Sequence, residues 1–471
     1  MAIGFQIQQR GGTVYREIVG GLTTFMAMSY ILFVQPAVLG TTGMDPGGVF
    51  MATCIASAVA CIAMGLLANY PIALAPGMGE NFFFAFTLCG AKAAGLSWQE
   101  ALALTVIVGV IFLALARFGI RSMLLNSIPD ALKSGIAAGI GLFIALIGFE
   151  WGNLIQTDPE TLVKLANLQG NHVAALTMIG LAVIIALMSF RIRGAILLGI
   201  LATTALTWWV GQQWGVAGVT YPGRIVALPH GLLRTASGIF GEEGFPSLFA
   251  RLTGPHWAQI LTLGFILLFM DVFDTVGTLV GVSSRAGLME GGKLPAAERA
   301  LTADALGTVA GGALGTSTVT SYIESITGVA AGARTGLAAI VVGLCMLAAM
   351  FFQPLVKMIG GGVEIGKMAS GAPILRYPMI APALIVVGAM MMRAIRQVEW
   401  DDITEALPAF LAMAGMAFTF SIATGIAIGF VSYAFAKLVT LRPRQCPLIV
   451  YIFALLFIAQ YAVGLITGTI K

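Results

Sequence analysis

Leu74 to Phe86 reads LAPGMGENFFFAF, an apolar stretch that a single continuous helix cannot accommodate. Pro76, Gly77 and Gly79 interrupt it just ahead of Glu80 and Asn81, because proline removes a helix hydrogen bond and glycine is a weak helix former. A second stretch, LGTSTVTSYIESITGVAAG from Leu314 to Gly332, has the same design, with small and β-branched residues preceding Tyr322, Glu324 and Ser325. Each predicts a short strand leading into a half-helix whose unpaired backbone N–H groups end at mid-membrane depth. Paired breaks at corresponding places in two halves of a chain point to a transporter binding site. Kinked helices packing closely through glycine would produce the same pattern; a carboxylate beside both breaks favours the functional reading.

The surrounding composition sets the environment. Hydrophobic residues make up 58% of the chain and charged residues 10%, with mean hydropathy +0.95, whereas soluble domains carry roughly 25% charge. The chain therefore reads as an all-α polytopic membrane protein embedded in a lipid bilayer. The uncharged run from Ile18 to Gly40 is too long for a signal-peptide core and reads as a retained first span. Apolar runs near 18–40, 48–70, 72–90, 100–118, 130–150, 172–190 and 194–214 precede a polar connection over 221–256. Runs near 257–284, 300–315, 316–333, 335–356, 377–396, 403–440 and 446–468 follow it. Counting 403–440 as one broken unit predicts about 14 transmembrane segments in two seven-segment repeats, and repeats of odd span number must be inverted.

Charge placement supports this topology in part. Arg10, Arg16, Arg117, Arg121, Lys133, Arg191, Arg193, Arg285, Lys293, Arg299, Arg334, Arg393 and Arg396 fall in or near connections on the N-terminal side, as the positive-inside rule expects, whereas Lys92, Lys164, Arg224, Arg234, Arg251, Lys357, Lys367 and Arg376 fall on the other. Lys437, Arg442 and Arg444 join them only if 403–440 folds as two short helices broken near Ser421–Thr424. Five cysteines without CxxC spacing and three scattered histidines without HExxH suggest no disulfide framework and no metal or haem cofactor. The net charge of +4 indicates no nucleic-acid partner.

The run 257–284 carries FMDVFDTVGTL, Phe269 to Leu279. An aspartate at a helix centre costs about 2.5–3.5 kcal/mol on insertion scales, so it needs a protein-lined or watery setting. Asp271 and Asp274, spaced i, i+3, share a helix face with Thr278. Together with Glu324 they would form a polar constellation if this helix touches the second broken segment, and carboxyls in such a place can take up and release a proton. The competing reading, in which an acid merely ties helices together through hydroxyls and amides, is as strong as the functional one for Asp271.

In these motifs the chain resembles the AzgA-like purine permeases of the nucleobase-cation symporter superfamily, whose relatives include uracil and xanthine permeases. The resemblance rests on FDTVGTL, APGMGENFFFAF, GTSTVTSYIES and GVAAGARTGL, and extends from GGLTTFMAMSYILFVQP (Gly20 to Pro36) to LPAFLAMAGMAFTFSIATGIAIGF (Leu407 to Phe430). It implies fourteen segments, short strands in segments 3 and 10, a core domain (1–128 and 257–360) moving against a gate domain (129–220 and 361–471), and an extramembrane connection over 221–256. It also implies a purine nucleobase (adenine, guanine or hypoxanthine) held between the domains and imported by proton symport across the cell membrane. Sodium is not distinguished from the proton, and carriers of this architecture often form homodimers.

Carried over by motif, the resemblance places base-contacting acids at Asp274 and Glu324, and a backbone contact at Phe82 beside Asn81. It places a buried supporting acid with a part in proton coupling at Asp304. Asp271 is a further candidate for coupling. Tyr322 and the ring of Phe82, Phe83 or Phe84 would offer stacking surfaces, and Ser325 a hydroxyl beside Glu324. Glu80 and Phe82 depart from the family's usual Gly-Met-Gly-Leu/Thr-Asn-Ala pattern and leave the purine preference open. A uracil or xanthine permease is the nearest alternative, and an anion transporter of the same fold the next. An intramembrane aspartyl protease would need a GxGD element, which the chain lacks.

Overall fold

The computed structural model describes residues 5–90, 94–117, 128–158, 160–213, 219, 221, 223–254, 257–289, 294–367 and 373–467; the extreme ends of the expected 100–118, 194–214 and 446–468 runs, and Lys92, Arg121 and Lys293, lie outside them. Among the described residues, 8 helices are long and apolar enough to cross a bilayer, which makes the chain a multi-pass membrane protein. The first, Val14–Gly40, consists of α1 (Val14–Met28) and α2 (Ile31–Gly40) in succession. Helix α3 (Pro46–Ala63) follows, capped by Asp45, whose Oδ2 accepts from the Gly48 amide at 2.8 Å, the usual device for an orphan first-turn donor.

The broken segments fold as strand plus half-helix. Strand β1 (Leu74–Pro76) leads into α4 (Met78–Phe82), continued by a π-helical turn over Phe83–Leu88. Helix α5 (Trp98–Arg117) completes the group. After it come α6 (Asp130–Trp151), the strand pair β2 (Ile155–Asp158) and β3 (Leu162–Leu165), α7 (His172–Ser189) and α8 (Ala195–Gln213). The polar connection carries two short helices, α9 (Leu233–Ala236) and α10 (Phe245–Thr253). The second half opens with α11 (Trp257–Ala286) and α12 (Ala297–Leu314), then β4 (Val319–Ser321), α13 (Ser325–Ala330), α14 (Gly336–Ala349) and α15 (Gln353–Gly360). It closes with β5 (Val363–Lys367), β6 (Pro373–Arg376), α16 (Ala381–Met391), α17 (Ile403–Thr419), α18 (Ile422–Val439) and α19 (Leu448–Thr467).

Gly315, at φ +102°, ends α12 in a left-handed turn that glycine adopts without steric cost and sends the chain back as β4. Strands β1 and β4 pair antiparallel, Ala75 opposite Thr320. The ladder is extended by Tyr322 N–H to Ala73 O at 2.9 Å and Gly77 N–H to Thr318 O at 3.1 Å. Two strands alone are marginal; this pair is buried along its whole length and packed by α3, α11 and α12.

The helices sort into two packing groups. In one, α12 lies on α3 and α5, and α14 on α1 and α3; in the other, α6 lies on α16 and α17, and α7 on α8. Close approach at the α6–α16 contact depends on glycine: a Cβ on Gly141 would stand 2.7 Å from Gly388 O, as at small-residue helix crossings in membranes. Phe418, Phe435 and Leu455 are exposed outward, as lipid-facing side chains would be.

The run 403–440 is two helices packed side by side and not one interrupted span, so the tally of seven segments in the second half requires counting this hairpin once. The physical cause is Phe420, which caps α17 in the left-handed conformation at φ +53°; Ser421 then caps α18 by accepting from the Thr424 amide. The pairing is antiparallel, since Gly429 approaches Ala412 while Lys437 reaches back to Glu405 at 2.7 Å and Arg442 to Asp402 at 3.6 Å. Lys437 is buried and also donates to Thr404 Oγ1 at 2.6 Å. The hairpin therefore brings Lys437 and Arg442 back to the end where α17 begins, the side the basic-residue pattern assigns to them.

Replacing Gly141 with leucine should overpack the α6–α16 crossing at a cost of about 1–3 kcal/mol. The expected result is a lower melting temperature and lower monodisperse yield in detergent size-exclusion chromatography, with Gly141→Ala giving the smaller loss.

Candidate functional site

Helix α11 runs past the strand crossing, and its two aspartates meet it differently. Asp271 is buried and its Oδ2 accepts from Thr308 Oγ1 at 2.9 Å. Thr308 in turn accepts from the Val319 amide, linking α11, α12 and β4 through one hydroxyl. Asp274, one turn on, is exposed although Asp271, Thr275 and Thr278 around it are buried. Its Oδ2 accepts from Thr320 Oγ1 at 3.1 Å. An accessible carboxylate flanked by buried neighbours and tied to an inner strand faces a cleft. Gly277, next on that helix face, is exposed with open space where a Cβ would stand.

Strand alternation explains how one short strand serves several acids, since successive side chains point to opposite faces. Thr320 reaches Asp274, whereas Ser321 Oγ donates to the buried Asp304 at 3.1 Å. Beyond the strand, Glu324 stands half-buried at the start of α13, and its Oε1 accepts from Tyr30 OH at 2.8 Å. Glu324 lies four residues beyond Thr320, the residue that bonds Asp274. Two carboxyls from distant parts of the chain are thus each anchored by one hydroxyl, one on β4 and one at Tyr30, just ahead of α2.

The remaining candidates are placed elsewhere. Asn81 is fully buried, its Oδ1 accepting from Ser317 Oγ. Ser325 is fully buried and accepts the Ala73 amide at 3.0 Å. Tyr322 is buried, its hydroxyl donating to Pro76 O at 2.5 Å. All three fasten the strand crossing. Phe82 is also buried and faces rings: it stacks on Phe86 at 5.9 Å and meets Phe143 edge-on at 6.3 Å. Phe86 in turn meets Phe420 at 6.4 Å. The stacking surface expected of Phe82 is taken up in this arrangement by other rings.

Sequence reasoning passed over Tyr30, Thr308, Thr320 and Gln35, whose Nε2 donates to Thr316 Oγ1 at 2.8 Å and Ser317 Oγ at 3.1 Å. A glutamine and a tyrosine inside an otherwise apolar first span were the available signal. The threonines carried none, because a threonine in an apolar helix commonly bonds its own backbone. The site can chemically accept N–H donors at two carboxylates. Its acids are absent from the ion pairs among the described residues, so a bound group that donates hydrogen bonds, or a cation, suits it better than an anion.

Tyr322→Phe should leave the buried Pro76 carbonyl without its donor and cost about 1–3 kcal/mol. The expected reading is a lower thermal midpoint at unchanged membrane insertion, and an unshifted midpoint would show that the hydroxyl contributes nothing to the crossing.

The sequence matches the Xan_ur_permease profile, described as a permease family, over residues 15–429. The guanine/hypoxanthine permease PbuG of Bacillus subtilis (strain 168) is 41% identical across 97% of this chain and 98% of its own length. The adenine permease AdeQ of Escherichia coli (strain K12) is 40% identical across 96% of this chain and 94% of its own. Among solved structures, the transmembrane domain of the cyanobacterium bicarbonate transporter BicA covers 87% of this chain and 97% of its own at TM-score 0.57 and 13% identity, a likeness of fold.

Proposed function

The chain belongs to the Xan_ur_permease family of permeases, and from that premise we propose that it imports purine nucleobases by proton symport. It is a transporter and not an enzyme. The observation that carries the reading is the accessible Asp274 beside Glu324 at the β1–β4 crossing. A purine offers ring N–H groups to carboxylates, and the relatives at 40–41% identity are named as guanine/hypoxanthine and adenine permeases. Adenine, guanine and hypoxanthine all present such donors.

In this reading the group holding β1 and β4 is a core domain (1–128 and 257–360), and that holding α6, α16, α17 and α18 is a gate domain (129–220 and 361–471). The two halves form inverted repeats. Alternating access is the movement of core against gate around the cleft. Asp274 and Glu324 bind the base, while Asp271 and Asp304, both buried and each with one oxygen lacking a partner, hold protons that compensate the negative charge of the site. Asn81, Tyr322 and Ser325 position the strands that carry the binding groups. Phe82 lines the base pocket only when the ring cluster around it opens.

Uptake of radiolabelled hypoxanthine by cells lacking their own purine permeases, competed with adenine, guanine, xanthine and uracil, identifies the substrate class. Adenine or guanine should compete and uracil should not. A protonophore should abolish accumulation, whereas persistence in its presence together with dependence on sodium would assign the driving ion to sodium. Asp274→Asn and Glu324→Gln should each lower uptake by about five- to tenfold, the loss expected when a charged hydrogen bond worth about 1.5–3 kcal/mol becomes a neutral one worth about 0.5–1.5 kcal/mol. Unchanged accumulation in the double variant would remove the basis of the assignment.

A further inference from the structure

Glu80 is the acid that the binding reading leaves unused. It lies in the first turn of α4, is 2% exposed, and its Oε2 has no hydrogen-bond partner among the described residues. Its carboxylate folds back over the exit of β1. A Cβ built on Gly77 would collide with Glu80 Oε2 and lie 3.0 Å from Thr320 Oγ1, so the missing side chain of Gly77 leaves room for both groups. Thr320 Oγ1 already donates to Asp274 Oδ2 at 3.1 Å, and a hydroxyl keeps two lone pairs for a second partner. Glu80 Oε2 and Thr320 Oγ1 border the same empty position at Gly77 without a hydrogen bond between them, and Thr320 bonds Asp274, so a turn of the Glu80 carboxyl toward Thr320 would connect a sealed interior position to the cleft.

We propose that Glu80 is a positioning residue for Asp274, holding a proton that it exchanges with Asp274 through the Thr320 hydroxyl. In the forward step the Glu80 O–H bond breaks and its proton bonds to Thr320 Oγ1, while the original Thr320 proton passes to Asp274 Oδ2. Thr320 ends as a hydroxyl, Glu80 as a carboxylate and Asp274 as a carboxylic acid, with no other reactant. The groups facing the pair are Asp271 on α11, Asp304 on α12 and Tyr322 just after β4, and around Asp274 also Glu324 and Tyr30. None of them is a cation. The relay therefore leaves the total charge unchanged and moves a negative charge from the cleft to the interior, and back. The inference rests on the nucleobase-symport reading of Asp274, and it gives Glu80 a role in setting the proton dependence of the cycle.

Infrared titration of the purified full-length protein tests the proton without requiring transport. A carboxylic-acid carbonyl band should be lost in Glu80→Gln and displaced in Thr320→Val. In cells, Glu80→Gln should move the pH midpoint of hypoxanthine uptake by about half a unit or more toward acid, since one like charge bearing on Asp274 has gone. Maximal rate should fall while KM stays near the unsubstituted value; Thr320→Val should lower the rate likewise but, having removed the hydroxyl that favours the Asp274 carboxylate, should not reproduce the acid shift, and Glu80→Asp should partly restore the unsubstituted midpoint. An infrared spectrum and pH profile identical to the unsubstituted protein, with Glu80→Gln present in the membrane at normal levels, overturns the proposal. If the unsubstituted protein accumulates no nucleobase and yet loses the band in Glu80→Gln, the transport reading fails and the Glu80 proton stands.

Discussion

The structure depends on one backbone ladder between two short buried strands, β1 and β4. Non-helical backbone at membrane depth is tolerated only if its amides and carbonyls are satisfied by protein. Here β1 and β4 satisfy each other, Ala75 against Thr320, and polar side chains close what remains: Ser325 accepts the Ala73 amide and Tyr322 donates to Pro76 O. Buried hydroxyls and amides that would be expensive in a lipid-facing helix are thereby gathered around one crossing. The same crossing places the starts of two half-helices, α4 and α13, beside a single cleft.

The acids follow from that crossing. Thr308 on α12 and Thr320 and Ser321 on β4 each give a hydroxyl to a different aspartate, so the carboxyls are oriented without being neutralised. A buried ion pair would have locked the charges in place; hydroxyl anchors leave each carboxyl free to change its protonation state. The contrast with Lys437 is instructive. There a buried ammonium is held by Glu405 and Thr404, an arrangement that fastens the α17–α18 hairpin, since breaking a buried pair strands a charge.

Much of this was legible in the sequence, for identifiable reasons. Pro76–Gly77 and the small residues before Tyr322 mark the two breaks because backbone chemistry is local. Asp271 and Asp274 stand out because charge in an apolar helix is costly. The separate tasks of those aspartates were not legible: accessibility depends on which side of α11 the strand crosses, a tertiary fact. Phe82 illustrates the same limit, since an aromatic beside a break reads as a stacking platform until Phe143 and Phe86 are found against it. In the 403–440 run the sequence offers a break near Ser421–Thr424 as one reading, and the structure turns there, although the left-handed position is held by Phe420 and not by glycine or asparagine.

The nature of the contacts between the two packing groups bears on how such a molecule could move. Rings join them: Phe143 against Phe82 and Phe86, Phe420 against Phe86, Phe430 against Phe269 and Phe453 against Phe265, with Lys133 lying over Phe273. Aromatic contacts of this kind are each worth about 0.5–1.5 kcal/mol beyond their burial and have little directional preference among offset and edge-on geometries. Inside the group built on the crossing, by contrast, buried hydroxyls, amides and carboxyls bond at fixed distances, and each would cost its full desolvation if separated. Parting the two groups at this ring boundary, around Phe420, would therefore strand fewer buried polar groups than parting β1 from β4.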